Sequence, residues 1–481
     1  KKGMKGPRPT LSRVFGVEVV IMSFIIITLY LFIAKGDGAT TTLSNPADIT
    51  LTTPSVSPVT SFSVSSSSGY GSTLWLGHSA NGVGDINNDG FEDFGFGAPQ
   101  ATPPKGLANG GVVFVIWGQS AIPAHSWASL TALPNRSYGL VIHGSTSYQR
   151  IGHSLWGGCD FNIDGIDVLM IGCWHNSVSI AAVFVVFGRL TTEAWPTTGI
   201  FWTSELNGQN GVMIIPGAAT PAWGDYFSWQ APKCAGDYNG DGFDDILIGD
   251  SSVDSTRGRA VVVHGRATWP SMINISSSSF GGVTFTTANT GSQALGWGLG
   301  GVDLNLDGYN DLVIGAHYAN SYRGHVHVIW GGKTLPSTLS LPVTSITQGM
   351  YFVSSKQNTY WGLSIDNGDI NGDTHDDLVF SASGSYTVVS VIIVFSSSTT
   401  TWTLGMTSPI PNSITFSKQN VKDNFASTVV TGDLNGDGFD DVFIGSQTAL
   451  SDLGRVYIWF GSGTPSSFNI TNTSTPDGTT W

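Results

Sequence analysis

Acidic and amide side chains recur in one spacing six times along this chain of 481 residues. A carboxylate stands at position 1, Asn at 3, Asp at 5, Gly at 6 and usually Asp at 9. Asp85, Asn87, Asp89 and Asp93 form one full set, and Asp237, Asn239, Asp241 and Asp245 another. Asp303, Asn305, Asp307 and Asp311 repeat it, as do Asp433, Asn435, Asp437 and Asp441. In the fifth copy Asp369, Asn371, Asp373 and Asp377 are kept, but Thr374 replaces the Gly. The second copy keeps Asp160, Asn162 and Asp164, while Val168 occupies position 9 and Asp167 sits one place early. This pattern suits a hard cation. Ca²⁺ takes about six to eight oxygens at roughly 2.3 to 2.6 Å, and a turn that sends alternate side chains inward supplies them, with one main-chain carbonyl from position 7. That carbonyl belongs to Phe91, Phe243, Tyr309, His375 and Phe439 in the five loops with a position-9 acid. Gly at position 6 allows the sharp bend.

The acid budget agrees with this chemistry. Of 34 Asp and Glu residues, 22 lie inside the six loops. Carboxylates a few ångströms apart repel by about 4 kcal/mol per pair at an effective dielectric near 20, which a divalent ion removes. Asp, Asn and Gly also make ordinary hairpin turns. That explanation suffices for one loop, whereas six copies point to metal. The fifth loop is weakened by the strain Thr374 brings, and the second, without an acid at position 9, is the poorest site.

The elements that position the loops follow from what flanks them. First-Asp spacings of 75, 77, 66, 66 and 64 residues are the length of a four-stranded sheet, not of a short solenoid rung. After each loop comes an apolar strand closing on Gly and a small residue, as in FGFGAP at 94–99 and LVIGA at 312–316. A second strand follows at 112–118, 182–188, 260–265, 325–332 and 455–461. Together these predict an all-β chain of radial blades. Over about residues 60–475 the ordered loop, small-residue motif and strand pair resemble the FG-GAP repeat of the integrin alpha-subunit β-propeller. The resemblance implies six or seven blades, a first strand lining the axis, and an acidic loop joining the first two strands of each blade. It also implies that ligands meet the opposite face, where Tyr148, Arg150, Trp223, Tyr226, Tyr318, Tyr322, Arg323, Tyr360 and Trp361 fall. The chain departs from integrin alpha subunits in carrying a hydrophobic span before the propeller and no inserted DxSxS-type domain.

Composition bounds the rest. Charged residues make up 11%, against about 25% in ordinary domains, and Gly numbers 62. A formal charge of −14 argues against nucleic acid as a partner. With only Cys159, Cys173 and Cys234, no disulfide framework is expected; small buried thiols are the default reading, with a Cys159–Cys173 bridge as the alternative. Residues 14–34 are apolar apart from Glu18 and would span about 31 Å as a helix, following a basic tail at 1–13. The positive-inside rule then leaves the N-terminus in the cytosol and the rest outside. A long cleaved signal peptide is the alternative. Residues 35–69 are rich in Ser, Thr and Pro and read as a stalk, 70–475 as the propeller, and 476–481 as a tail. Asn135, Asn274, Asn469 and Asn472 head N-x-Ser/Thr acceptors, in keeping with a secretory route. The last residues resemble the opening of another repeat, so the expectation is an incomplete chain whose ring is closed by a missing blade or by a strand near 61–66.

These readings predict a calcium-binding, membrane-anchored, extracellular adhesion or recognition protein with a protein or glycan ligand. A lectin is the alternative binding class, since 16 Trp and 13 Tyr offer flat faces to sugars. FG-GAP propellers also resemble the accessory part of the glycosylphosphatidylinositol-specific phospholipase D family, whose metal-dependent catalytic domain finds no counterpart here. No HExxH, GxSxG or P-loop occurs. GWGLGG at 296–301 reads as a blade turn, His153, His264, His325 and His327 as structural, and the chain as non-enzymatic.

Overall fold

The computed structural model describes residue 70 and residues 74–470, except 119–138, 174–180, 191–195, 197–198, 218–226, 228–230, 334–335, 385–387, 420–424 and 447–454. The tail at 1–13, the span at 14–34, the stalk at 35–69, the strand near 61–66, Asn135, Asn472, Trp223, Tyr226 and residues 476–481 lie outside them. Among the described residues no helix is long and apolar enough to cross a membrane.

The main strands of each sheet run antiparallel in chain order, the first two joined by an acidic loop. The first sheet contains Ser79–Gly84, Asp93–Ala98, Val112–Ile116 and Gly139–His143. Ile151–Cys159, Val168–Cys173, Val183–Phe187 and Gly211–Ile215 make the second, and Lys233–Gly236, Asp245–Asp250, Arg259–Val263 and Gly282–Thr287 the third. Leu295–Val302, Asp311–Ala316, His325–Ile329 and Gly349–Val353 follow, then Trp361–Gly368, Asp377–Ala382, Val388–Val394 and Ser413–Gln419. A sixth sheet has three described strands, Phe425–Gly432, Asp441–Ser446 and Arg455–Trp459. The all-β expectation holds. Two four-residue helical turns, Val253–Thr256 and Ala319–Tyr322, contain left-handed residues and are tight turns in substance.

The sheets succeed one another as propeller blades, with the first strand of each packed on the first strand of the next. Near their common hub, Lys233 of the third sheet lies 3.1 Å from the Trp156 ring centre of the second and 3.6 Å from Asp366 Oδ1 of the fifth. Asp366 in turn accepts the Thr431 N–H of the sixth. The small-residue motif has a steric cause. A Cβ built on Gly97 would lie 1.9 Å from the carbonyl oxygen of Gly152 in the next sheet, and Gly249 and Gly315 meet Gly296 and Gly362 in the same way. Those partner glycines sit at φ of 78°, 85° and 84°, where the first strand shifts register against the second. GWGLGG therefore belongs to an inner strand, Leu295–Val302, not to a turn. Apolar side chains fill the space between sheets in successive buried clusters.

One feature was not foreseen from sequence. Among the described residues, the chain after a sheet's third strand lends a short strand in parallel to the rim of the preceding sheet: Ile200–Trp202 to the first, Met272–Asn274 to the second, Thr338–Leu341 to the third and Phe468–Ile470 to the fifth. At the fourth, Met406 bridges Phe352. Neighbouring sheets are thus interlocked at their rims as well as packed face to face.

Candidate metal centre

All six acidic loops join the first and second strands of their sheets and emerge at one end of the molecule. Within a loop the position-1 carboxylate organises the turn. Asp85 accepts the N–H groups of Asp89 (2.9 Å) and Gly90 (2.8 Å), while Asp89 accepts that of Phe91 (3.0 Å). Asp237 takes N–H groups from Gly240, Asp241 and Gly242, and Asp433 those from Gly436, Asp437 and Gly438. Asp303 and Asp369 do likewise. Asn239, Asn305 and Asn435 each donate to the position-5 Asp. Position 6 is left-handed throughout, at φ of 93°, 86°, 92°, 90° and 89° for the glycines and 74° for Thr374. The strain expected at Thr374 is present. Phe243, Tyr309, His375 and Phe439 bond through their own N–H groups to position 5, which fixes the peptide planes around position 7.

The position-9 acids are the buried members. Asp93, Asp245, Asp311, Asp377 and Asp441 each have no exposed surface. Asp93 joins the loop to the sheet by accepting the N–H groups of Ile86 and Gly118, and Asp245 those of Tyr238 and Gly265. Asp311 does the same with Leu304 and Gly331, and Asp441 with Leu434 and Gly461. Burial first, and then the carboxylates at positions 1 and 5, push these groups up, against the lowering effect of the backbone donors. Asp245 and Asp377 rise to about 8 and Asp441 to about 7. Asp93 and Asp311 are likewise raised well above the ordinary carboxylate value. Three carboxylates therefore share each of these five loops, one of them without solvent. That is the electrostatic condition a divalent cation relieves.

Unmatched acceptors test the fit. Both side-chain atoms of buried Asn87, Asn162 Oδ1 and Asp377 Oδ2 lie out of water without a hydrogen-bond partner. Buried polar atoms normally have one. A cation with oxygen ligands fits the acceptors among them, so Asp85, Asn87, Asp89, Asp93 and their counterparts are the residues that would hold it.

The second loop differs. Asp160 and Asp164 keep the main-chain cage, accepting the N–H groups of Asp164, Gly165 and Ile166. Val168 leaves it no buried acid. Asp167 is not a displaced ligand: it accepts the Asp85 N–H of the first loop at 2.9 Å. Asp244 reaches back to the Asp160 N–H in the same way, and Asp440 to that of Asp369. Asp167, Asp244 and Asp440, at position 8, are thus latches onto the preceding loop, whereas Asp376 accepts the Asn367 side-chain N–H of its own sheet. A Cβ on Gly84 would lie 2.4 Å from Asp167 Oδ2, which accounts for the small residue before Asp85. The sequence pattern counts these acids inside the loops without giving them a role; the Asp-Asp doublets were the signal for two jobs. At the third and fourth loops the latch position is Asn310, whose side chain lies against Gly236.

Cysteine pairing also departs from expectation. Cys159 and Cys234, 75 residues apart, form a disulfide between the first strands of the second and third sheets, beside Asp244. Cys173 is the buried thiol, pushed up to about 12 by its burial.

Of the residues expected on the opposite face, Tyr148, Tyr318 and Tyr322 are exposed, whereas Trp361 is buried between the fourth and fifth sheets. Tyr318, Tyr322 and Tyr360 gather there with ring centres 5.4 to 6.2 Å apart. His153, His325 and His327 are buried as structural histidines, the last two held neutral by burial.

Loops between first and second strands, a glycine motif at the sheet contacts and radial succession are the arrangement of FG-GAP repeats, in a propeller that resembles that of integrin alpha subunits. The FG-GAP repeat family profile matches residues 295–329 and 425–459, each covering the first three strands and the acidic loop of one sheet. Phosphatidylinositol-glycan-specific phospholipase D of Bos taurus is 31% identical over 163 residues, 32% of this chain and 19% of that protein. The Homo sapiens protein of that name is 32% identical over 168 residues, with 32% and 19% covered. Integrin alpha-5 of Xenopus laevis is 29% identical over 171 residues, with 33% and 15% covered. The aligned region is less than a fifth of each relative's length.

Proposed function

We propose that this chain is a calcium-binding, membrane-anchored extracellular recognition protein, whose propeller engages a protein or glycan ligand with the face opposite the acidic loops. The observation that carries the calcium reading is the buried position-9 carboxylate, crowded by two others in five loops. In this reading the ion rigidifies one end of each sheet and the tyrosine cluster at the other end contacts the ligand. Exposed aromatic residues are frequent interface anchors.

The test is thermal unfolding of the full chain in calcium and in chelator. Each loop saturated to a hundred times its dissociation constant contributes about 2.7 kcal/mol, so five loops should shift the midpoint by about 10 °C or more. Asp237→Ala with Asp433→Ala should remove part of that shift. Identical curves in calcium and chelator would return the loops to ordinary turns.

The similarity to phospholipase D favours a second reading, an accessory propeller of a hydrolase. Cleavage of a phosphatidylinositol-glycan by the full chain supports it; selective retention on a glycan or protein array without cleavage supports recognition.

A further inference from the structure

We propose that Asn274 carries an N-linked oligosaccharide on the outer rim of the second sheet; this rests on the extracellular reading above. Asn274, Ile275 and Ser276 form an acceptor triplet. The triplet lies at the end of Met272–Asn274, the strand lent to the second sheet and the edge of that sheet. Alternation along the strand sends Ile273 into the core and leaves Met272 and Asn274 exposed. Asn274 Oδ1 accepts the Ser276 N–H at 2.9 Å, so the carboxamide is turned with its oxygen toward the chain. Its nitrogen makes no hydrogen bond among the described residues. The Ser276 hydroxyl is anchored on the Pro216 carbonyl, which fixes the triplet against the sheet.

Transfer from a lipid-diphosphate oligosaccharide forms a bond from Asn274 Nδ2 to the sugar's anomeric carbon, breaks that carbon's bond to the diphosphate oxygen, and releases one amide proton. A second triplet, at Asn469, falls on Phe468–Ile470, the strand lent to the fifth sheet. Two acceptors thus occupy equivalent architectural positions. A glycan there covers Met272, which is 48% exposed, and blocks an open sheet edge from pairing with another chain. It leaves both ends of the propeller clear.

Peptide mapping of the full chain from cultured eukaryotic cells, after peptide N-glycosidase treatment in ¹⁸O-water, tests the assignment. Asn274 should be recovered as labelled Asp. Asn274→Gln and Ser276→Ala should each lose one glycan's mobility step, while Ser276→Thr keeps it. Secreted chain with Asn274 unlabelled and another triplet labelled overturns this site alone. Chain retained in the cytosol with no triplet labelled overturns the extracellular reading and this site with it.

Discussion

The second and third acidic loops share a main-chain cage but are tied down by different chemistry. In the third, Asp245 accepts two backbone N–H groups and its charge is crowded by Asp237 and Asp241. In the second, Val168 extends the apolar core instead, and a disulfide joins the strand just before the loop to the third sheet. Latching is common to both, through Asp167 and Asp244. The contrast separates three roles that the repeat usually superimposes: shaping the turn, holding an ion, and fastening one sheet to the next. A covalent bond stands at the loop least suited to an ion.

The strongest way to break this contrast is to give the third loop the second loop's residue. Asp245→Val orphans two buried donors, at roughly 1–3 kcal/mol each, and removes one ion worth about 2.7 kcal/mol at high calcium. Denaturant unfolding in calcium should lose about 5 kcal/mol in total; a loss below about 1 kcal/mol would mean that Asp245 neither caps the sheet nor holds an ion. The same carboxyl sets a pH dependence. Its folded value of about 8 lies above the ordinary one, so the stabilising protonated form of the ion-free chain is fully present below pH 4 and lost as pH rises through 8. Without calcium the melting midpoint should therefore fall from pH 5 to pH 8, and calcium should flatten the slope. An ion-free midpoint that rises over that window contradicts the buried acid.

Reducing Cys159–Cys234 tests the second loop's side of the contrast. Opening a loop of 75 residues should cost about 4 kcal/mol, read as a lower melting midpoint in reductant or in Cys234→Ser. An unchanged midpoint would show that packing alone holds the second and third sheets together. The latches come next. Asp167→Ala should cost about 2 kcal/mol, the worth of a hydrogen bond to a charged group. Asp244→Ala should cost less while the disulfide is intact and as much once it is reduced. Equal costs in the oxidised chain would deny that latch and disulfide share one load.

Much of this was legible. The loops lie between first and second strands; Val112–Ile116, Val183–Phe187, His325–Ile329 and Arg455–Trp459 fall within the strands read from pattern, and Arg259–Val263 starts one residue before its own. Val388–Val394 was passed over because Ser follows Phe395 where the others have Gly. The lent strands were invisible for a different reason: three or four residues hold too little alternation to announce a strand, and their partners lie a full repeat away. Distance also hid Cys234, since the repeat period is what brings it beside Cys159. Position 8 was left without a role because spacing along one loop says nothing of a neighbour across an interface.

The smallest effect is also the one sequence and geometry define most narrowly. Thr374 holds φ of 74° and still donates its N–H to Asp369 Oδ2 at 2.8 Å, so the cage tolerates a β-branched residue where its siblings have Gly. The left-handed conformation costs an L-residue about 1–2 kcal/mol, and Gly gives back roughly 0.5–1 kcal/mol through its freer unfolded chain. Thr374→Gly should therefore stabilise the protein by up to about 1 kcal/mol and tighten calcium binding at the fifth loop, and Gly242→Thr should do the reverse at the third. Calorimetric titration of both variants reads the two effects together. If Thr374→Gly weakens calcium binding instead, the Thr side chain supports the site, and the fifth loop is a distinct design, not a strained copy of the third.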